Sequence, residues 1–243
     1  MPELGIPQLH FFGGTALCRT LLDGQRLSED IDLLQADYES TLAVLGDGLS
    51  AALRREFPGM TIRSGQGEGR GRSLYLDVAG VPGVKVYVGA LHLERPSWAF
   101  ALAPVSLRYP DLDAYVQLSC PTRATFAAMK MEAYCDRHAP RDLFDLAGLA
   151  RIGALDAEAE AVLRAASGIG FVREEFVSVP PMTAAAWEVE LAHQGTAMTT
   201  ADGCRATIAR ALELQTEDGN EGPRGANGSS HPVQEPPTSA GTP

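Results

Sequence analysis

Asp30 and Asp32 form an acidic pair in the run Asp30-Ile31-Asp32-Leu33-Leu34, downstream of two adjacent glycines, Gly13 and Gly14. Side chains at i and i+2 of a strand share a face, so the two carboxylates come close and their repulsion has to be offset. A divalent cation does this, and Mg²⁺ takes one or two carboxylates while leaving coordination positions for substrate phosphates. Adjacent glycines between a strand and a helix let the backbone approach a phosphate, and the helix start adds unpaired N–H groups and a positive dipole end. Taken singly, the acidic pair also fits a solvated strand edge and the glycines a tight turn. Together they point to nucleotidyl transfer, in which metal ions bridge a triphosphate and stabilise the oxygens entering and leaving in line. Thr15 and Ser28 carry hydroxyls that could hold phosphate oxygens or cap a helix or turn.

Hydrophobic periodicity indicates which elements position these residues. Leu9 to Phe12 reads as a strand, Gly13-Gly14 as a turn, and Thr15 as the opening of an amphipathic helix that stops at Asp23-Gly24. Asp30 to Leu34 reads as a strand, and a second helix follows from about Ser40 to Phe57. MTIRSG, SLYLDVAG and GVKVYVGAL alternate as strands do, the last two as an antiparallel hairpin across Ala79 to Gly83. Gly65 to Arg72 reads as a mobile loop, with phosphate contact as the alternative. From Pro121 the pattern is helical: Thr122 to Arg137, Arg141 to Arg151, Asp156 to Ala166, Thr183 to His193 and Thr200 to Leu214. Three regions are expected: a sheet domain over residues 1–120, a helical lobe over 121–215, and a disordered tail over 216–243. The tail is rich in Gly, Pro and Ser and cannot offset the entropy of ordering.

The formal net charge of −11 argues against a surface that is a nucleic-acid footprint throughout, but arginines and lysines cluster regionally and leave room for a local basic cleft. Cys18, Cys120, Cys135 and Cys204 are widely spaced and signal neither a zinc site nor a disulfide framework. His92, His138 and His193 are scattered, and Trp98 and Trp187 read as packing residues. No run approaches the ~18 apolar residues of a membrane span, so a cytoplasmic protein without membrane contact is expected.

The blocks FFGGTALCR, RLSEDIDLL and KMEAYCDRHAPRDLFDLAGL resemble, in that order, the motifs of the AbiEii family of toxin nucleotidyltransferases, which includes the MenT toxins. The similarity spans about Leu9 to Ala150. It implies an α+β fold: a polymerase-β-like core with a mixed or antiparallel sheet and helices, followed by a helical C-terminal lobe closing a cleft. It further implies a toxin that uses Mg²⁺ and a nucleoside triphosphate to modify the 3′ acceptor end of tRNA, neutralised by a cognate antitoxin. Carried over by residue, Gly13, Gly14, Thr15, Ser28, Arg19 and Arg26 would bind the nucleotide, and Asp30 and Asp32 the metal. Lys130 would meet the triphosphate, and Asp142 and Asp145 join Asp30 and Asp32 as catalytic candidates. The residues alone also allow Asp142 to be a first-turn helix acid, while Lys130, alone among apolar neighbours, reads as a directed charge. Tyr87 stands where this family often has an acidic residue, with Asp77 the nearest acid, so Asp142 or Asp145 becomes the candidate general base if Asp77 faces away. A small-molecule acceptor and a decayed nucleotide-binding protein are the alternatives.

Overall fold

The computed structural model describes residue 6 and residues 8–28, 30–65, 71–79, 81–91, 98–107, 115–171, 182–191 and 199–220, without side chains at 81–82 and 214–220. Seven strands form one sheet: β1 His10–Phe12, β2 Ile31–Gln35, β3 Thr61–Ser64, β4 Gly71–Val78, β5 Val81–Ala90, β6 Phe100–Val105 and β7 Val116–Pro121. Their order across the sheet is β3-β4-β5-β2-β1-β7-β6. β2 runs parallel to β5 and antiparallel to β1, and β1 runs parallel to β7, so the sheet is mixed. Among the described residues the helices are α1 Gly13–Thr20, α2 Tyr38–Leu53, α3 Arg123–Arg137, α4 Pro140–Arg151, α5 Ala157–Ser167, α6 Ala184–Leu191 and α7 Ala201–Asn220. The architecture is α+β: among the described residues every strand lies at or before Pro121, with α1 and α2 between strands, and helices follow.

Several elements depart from the sequence reading for local reasons. Helix α1 begins at Gly13 rather than Thr15, because Gly13 takes φ +76°, a conformation that glycine enters freely, and turns the chain directly out of β1. Asp37 accepts from the backbone N–H of Ser40 and starts α2 earlier than the sequence suggests. β6 and β7 were not anticipated: β6, FALAPV, contains a proline and two alanines and sits at the sheet edge, where Pro is tolerated. Helix α7 runs on to Asn220, beyond the expected end at Leu214. His193, the centre of the Gly65 to Arg72 segment and residues 221–243 of the expected tail lie outside the described residues.

β4 and β5 pair in antiparallel register, Leu74 opposite Val86 and Ser73 opposite Tyr87. One face of the pair carries Leu74, Leu76, Val86 and Val88, all buried in the core with Leu42 and Leu45 of α2. Arg72, on that same face, reaches Glu39 of α2 at 3.9 Å, so α2 lies against this side and leaves the face of Tyr75, Lys85 and Tyr87 to the cleft. The central helix of the second half is α4, buried at ten of its twelve residues. A helix apolar all round belongs in a core; α4 nevertheless carries Asp142 and Asp145, both 0% exposed. Trp187 packs edge-on against Phe144 of this helix, in agreement with the packing role read from the sequence. Among the described residues no helix is long and apolar enough to cross a membrane.

Burying two carboxylates costs several kcal/mol each unless every charge is paired. Arg26, from the segment between α1 and β2, donates through Nε and Nη2 to the two oxygens of Asp145, each at 2.7 Å. Gln25 beside it donates to the Phe144 carbonyl at 3.2 Å, and Gly148 leaves the room that the Gln25 side chain occupies. The sheet half and the helical half are thus clasped through consecutive polar residues. Asp145→Asn is expected to cost about 3–5 kcal/mol, since it leaves Arg26 and Lys130 facing a neutral group in the core. Urea unfolding measures this, and a loss below about 1 kcal/mol would show that the clasp does not hold the two halves.

Candidate active site

The cleft between the sheet and the helical half holds a cavity of about 510 Å³, lined by Gly13, Gly14, Arg26, Ser28, Asp30, Asp32, Lys85, Tyr87, Lys130, Arg137, Arg141 and Asp142, with Phe12. β1 and α1 bring the glycines to its floor. A Cβ on Gly13 would collide with the Asp32 carboxylate, and one on Gly14 with the Arg26 guanidinium and Ser28 Oγ. Only bare backbone fits there, and this close approach explains the glycine pair better than a turn alone.

Asp30 precedes β2 and Asp32 lies within it, two positions on, and both line the cavity. Asp32 has its pKa pushed up to about 6, first by burial and then by the neighbouring charge of Asp30; Lys130, Lys85 and Arg137 pull the other way without cancelling it. An acid still raised against three cations is a carboxylate whose charge is undercompensated. That is what a divalent cation requires of its ligands, and two carboxylates suffice for Mg²⁺ when phosphates complete its shell. Among the described residues no cluster of three Asp, Glu, His or Cys side chains is placed to hold a metal ion. The pair therefore fits Mg²⁺ shared with a phosphate rather than a closed all-protein cage.

Opposite the aspartates stands a chain of charges. Lys130 Nζ lies 2.7 Å from Asp145 and 3.1 Å from Asp142, and Arg137 reaches both oxygens of Asp142, at 2.6 Å and 2.9 Å. Burial alone would lower the Lys130 ammonium, but Asp145 and Asp142 outweigh it and hold its pKa above the ordinary value. For Asp142 burial acts upward, yet Arg137 and Lys130 bring its carboxyl below the usual range. Asp142 is thereby held as a carboxylate, and the oxygens of both aspartates are occupied by cations. Of the five basic side chains in the lining, Arg26, Lys130 and Arg137 are held by Asp145 and Asp142, and Arg141 by Glu190 at 3.1 Å, so the positive charge here is anchored and matched from outside the cavity as well as within it.

The other sequence candidates fall in different places. Thr15 donates its hydroxyl to the backbone carbonyl of Asp30, bracing α1 against the entry to β2. Arg19 and Thr15 line a neighbouring cavity of about 400 Å³ that shares Arg26 and Ser28 with the first. Arg26 commits Nη1 to the Leu27 carbonyl at 3.0 Å besides its two bonds to Asp145. Asp145 is fully buried and lines neither cavity. Asp77 lies outside the cleft, ion-paired with Arg63 at 2.7 Å, and Tyr87 is in register beside Asp32. Lys85 and Arg137 were not singled out as site residues from the sequence. For Lys85 the available signal was its position two residues before Tyr87 on the same strand face; for Arg137 it was spacing, two helical turns after Lys130.

The sequence profile of a family described as nucleotidyl transferase AbiEii toxin, type IV toxin–antitoxin system, matches residues 4–202. The chain belongs to the AbiEii family. As a member it is a nucleotidyltransferase of the toxin type. In fold it is similar to MenT4, a nucleotidyltransferase toxin from Mycobacterium tuberculosis H37Rv, at 18% identity and a TM-score of 0.62, over 86% of this chain and 75% of that one. A structure named as a putative nucleotidyltransferase from H. pylori aligns at 13% identity and a TM-score of 0.49, over 86% of this chain and 87% of that one. No curated protein is significantly similar in sequence.

Two outcomes follow for this AbiEii site. In metal-free protein Asp32 disfavours ionisation, so its contribution to stability is lost as pH rises from about 4, its unfolded value, through about 6. Denaturation of the wild type and Asp32→Asn across that range should show the variant gaining relative stability as pH rises, and a pH-independent difference contradicts the raised pKa. Gly13→Ala should lose about 1–2 kcal/mol through its left-handed backbone and displace Asp32. A Mn²⁺ titration that matches the wild type would show the close approach to be dispensable.

Proposed function

We propose that this AbiEii toxin transfers a nucleotide from a nucleoside triphosphate, with Mg²⁺, to the 3′ end of tRNA, and that a cognate antitoxin restrains it. The observation that carries the reading is the opposition within one cavity of Asp30 and Asp32 to Lys130, Arg137 and Arg141 over the bare backbone of Gly13 and Gly14. Asp30 and Asp32 would hold the metal, which supplies charge neutralisation at the phosphorus under attack. The Gly13 and Gly14 backbone and Ser28 would receive the triphosphate, and Lys130 and Arg137 would balance its charge as it shifts to the leaving group.

Asp142 and Asp145 act in this reading by position: with their oxygens on Lys130, Arg137 and Arg26 they fix where positive charge stands. Neither is proposed as the base that takes the acceptor proton, although both were candidates for catalysis. Arg26 contributes charge and its clasp rather than a free donor. Arg19 and Thr15 lie one layer behind the cavity. A cationic small-molecule acceptor is the second reading, which the acidic net charge favours; the basic side chains that line the cavity offer an anionic acceptor partners instead.

Incubation of the protein with each labelled triphosphate, Mg²⁺ and total RNA should place label on tRNA. Asp30→Ala should reduce transfer by at least about a thousandfold, in keeping with the several kcal/mol a metal contributes, and abolish growth arrest on expression without antitoxin. Toxicity that survives the substitution would sink the catalytic account.

A further inference from the structure

The face of the sheet that α2 leaves to the cleft extends beyond the catalytic cavity across β5, β4 and β3. On it, Tyr87 stands beside Asp32, Ser73 opposite Tyr87, and Tyr75 opposite Lys85 and Arg63. Gly71 and Gly89 face each other in register, and a Cβ on either would run into the Tyr87 ring. The ring therefore lies down over a glycine bed instead of standing up from the strand. Glycine inside a strand weakens it and marks a close approach, and here the approaching group is an aromatic ring.

The pattern repeats one strand out. Gly65 leaves room for the edge of Tyr75, and the Arg63 guanidinium lies over the Tyr75 ring, 4.4 Å from its centroid. Asp77 pins Arg63 there through an ion pair of 2.7 Å, while the Arg63 side chain stays 61% exposed. Two flat π-surfaces, the partly exposed Tyr87 ring and the exposed Arg63 guanidinium, thus lie on this sheet face, with the partly exposed Lys85 on it as well. Planes of this kind, arrayed on a sheet and accompanied by positive charge, recognise single-stranded nucleic acid by stacking its bases.

We infer that the β3–β4–β5 face is a track for the terminal nucleotides of a single-stranded nucleic acid, with Tyr87 stacking the last base beside Asp32 and Arg63 on Tyr75 stacking one further back. The inference rests on the proposed reaction only in its direction, the strand end lying at Asp32. The aromatic at position 87 then has a use that an acidic residue would not supply, because a carboxylate on this strand would repel the acceptor's phosphates.

The test is fluorescence anisotropy with short single-stranded RNA and DNA carrying a free 3′ hydroxyl, beside binding of a non-hydrolysable triphosphate with Mg²⁺, on the full chain. Arg63→Ala and Tyr87→Leu should each weaken single-strand binding by about tenfold or more, and Tyr87→Phe should retain it, since stacking needs the ring and not the hydroxyl. Arg63→Ala should leave triphosphate affinity unchanged. Preference between RNA and DNA identifies the acceptor, and tight ring-dependent binding of either supports the track. Single-strand affinity that is absent in the wild type, or within twofold of wild type in both Arg63→Ala and Tyr87→Leu, overturns it. Ring-dependent binding without transfer to any acceptor would defeat the proposed reaction and leave the track standing; transfer whose acceptor KM ignores Arg63 and Tyr87 would do the reverse.

Discussion

The charge chain Arg26–Asp145–Lys130–Asp142, buried in the core and continued to the surface by Arg137, is the constraint on which the rest of the molecule depends. Two carboxylates one turn apart on α4, both without solvent contact, bind three cations drawn from the α1–β2 segment and from two successive regions of α3. Removing Asp145 leaves Arg26 unmatched where water hardly reaches it, whereas apolar replacement of a whole buried set is often neutral or stabilising. Stability alone therefore does not account for the arrangement. What it supplies is placement: the ammonium of Lys130 and the guanidinium of Arg137 are held at the cavity wall by partners that cannot move without breaking the core.

That placement gives the cleft its polarity. On the β2 side the Asp30 and Asp32 pair is undercompensated, as the raised pKa of Asp32 records. On the helical side the cations are anchored and ionised. A ligand that satisfies both walls must carry a cation to one and anionic oxygens to the other, which describes a metal-bound triphosphate and few other metabolites. Preorganised charge of this kind needs no rearrangement at the moment of reaction, and the packed α4 helix keeps it in place.

Much of this was legible in the sequence, and the reasons are local. Gly13, Gly14, Asp30 and Asp32 lie within a short stretch whose strand and helix signals are strong, so their convergence could be read without a fold. Lys130 stood out because charge inside an apolar helix run needs a partner. The partners themselves could not be read: that Asp145 meets Arg26 depends on how α4 packs against a segment more than a hundred residues earlier. β6 and β7 escaped for a related reason, since a proline-containing edge strand and a short strand running into a helix carry weak period-two signals. Lys85 and Arg137 join the cavity only when β5 lies beside β2 and α3 turns its polar side to the cleft, both properties of tertiary packing. The thirty-odd residues between β2 and β4 show the converse: their elements were readable, but which sheet face they leave open followed only from the position of α2.

Tyr87 brings these strands of argument together. Beside Asp32 in register, it occupies the place where an acid would complete a three-carboxylate set, and Lys85 on the same face adds a positive charge instead. A third carboxylate there would raise Asp32 further, because like charges at that range disfavour ionisation. An aromatic ring and a lysine there lower the electrostatic cost of ionising Asp32 beside Asp30. The lysine, Lys85, also places a positive charge on this side of the cleft. The glycines at 71 and 89 show that the sheet is shaped around this ring: both strands give up a side chain at the same register position so that it can lie flat. A residue that merely filled the space of a lost acid would not require its neighbours to make room in this way.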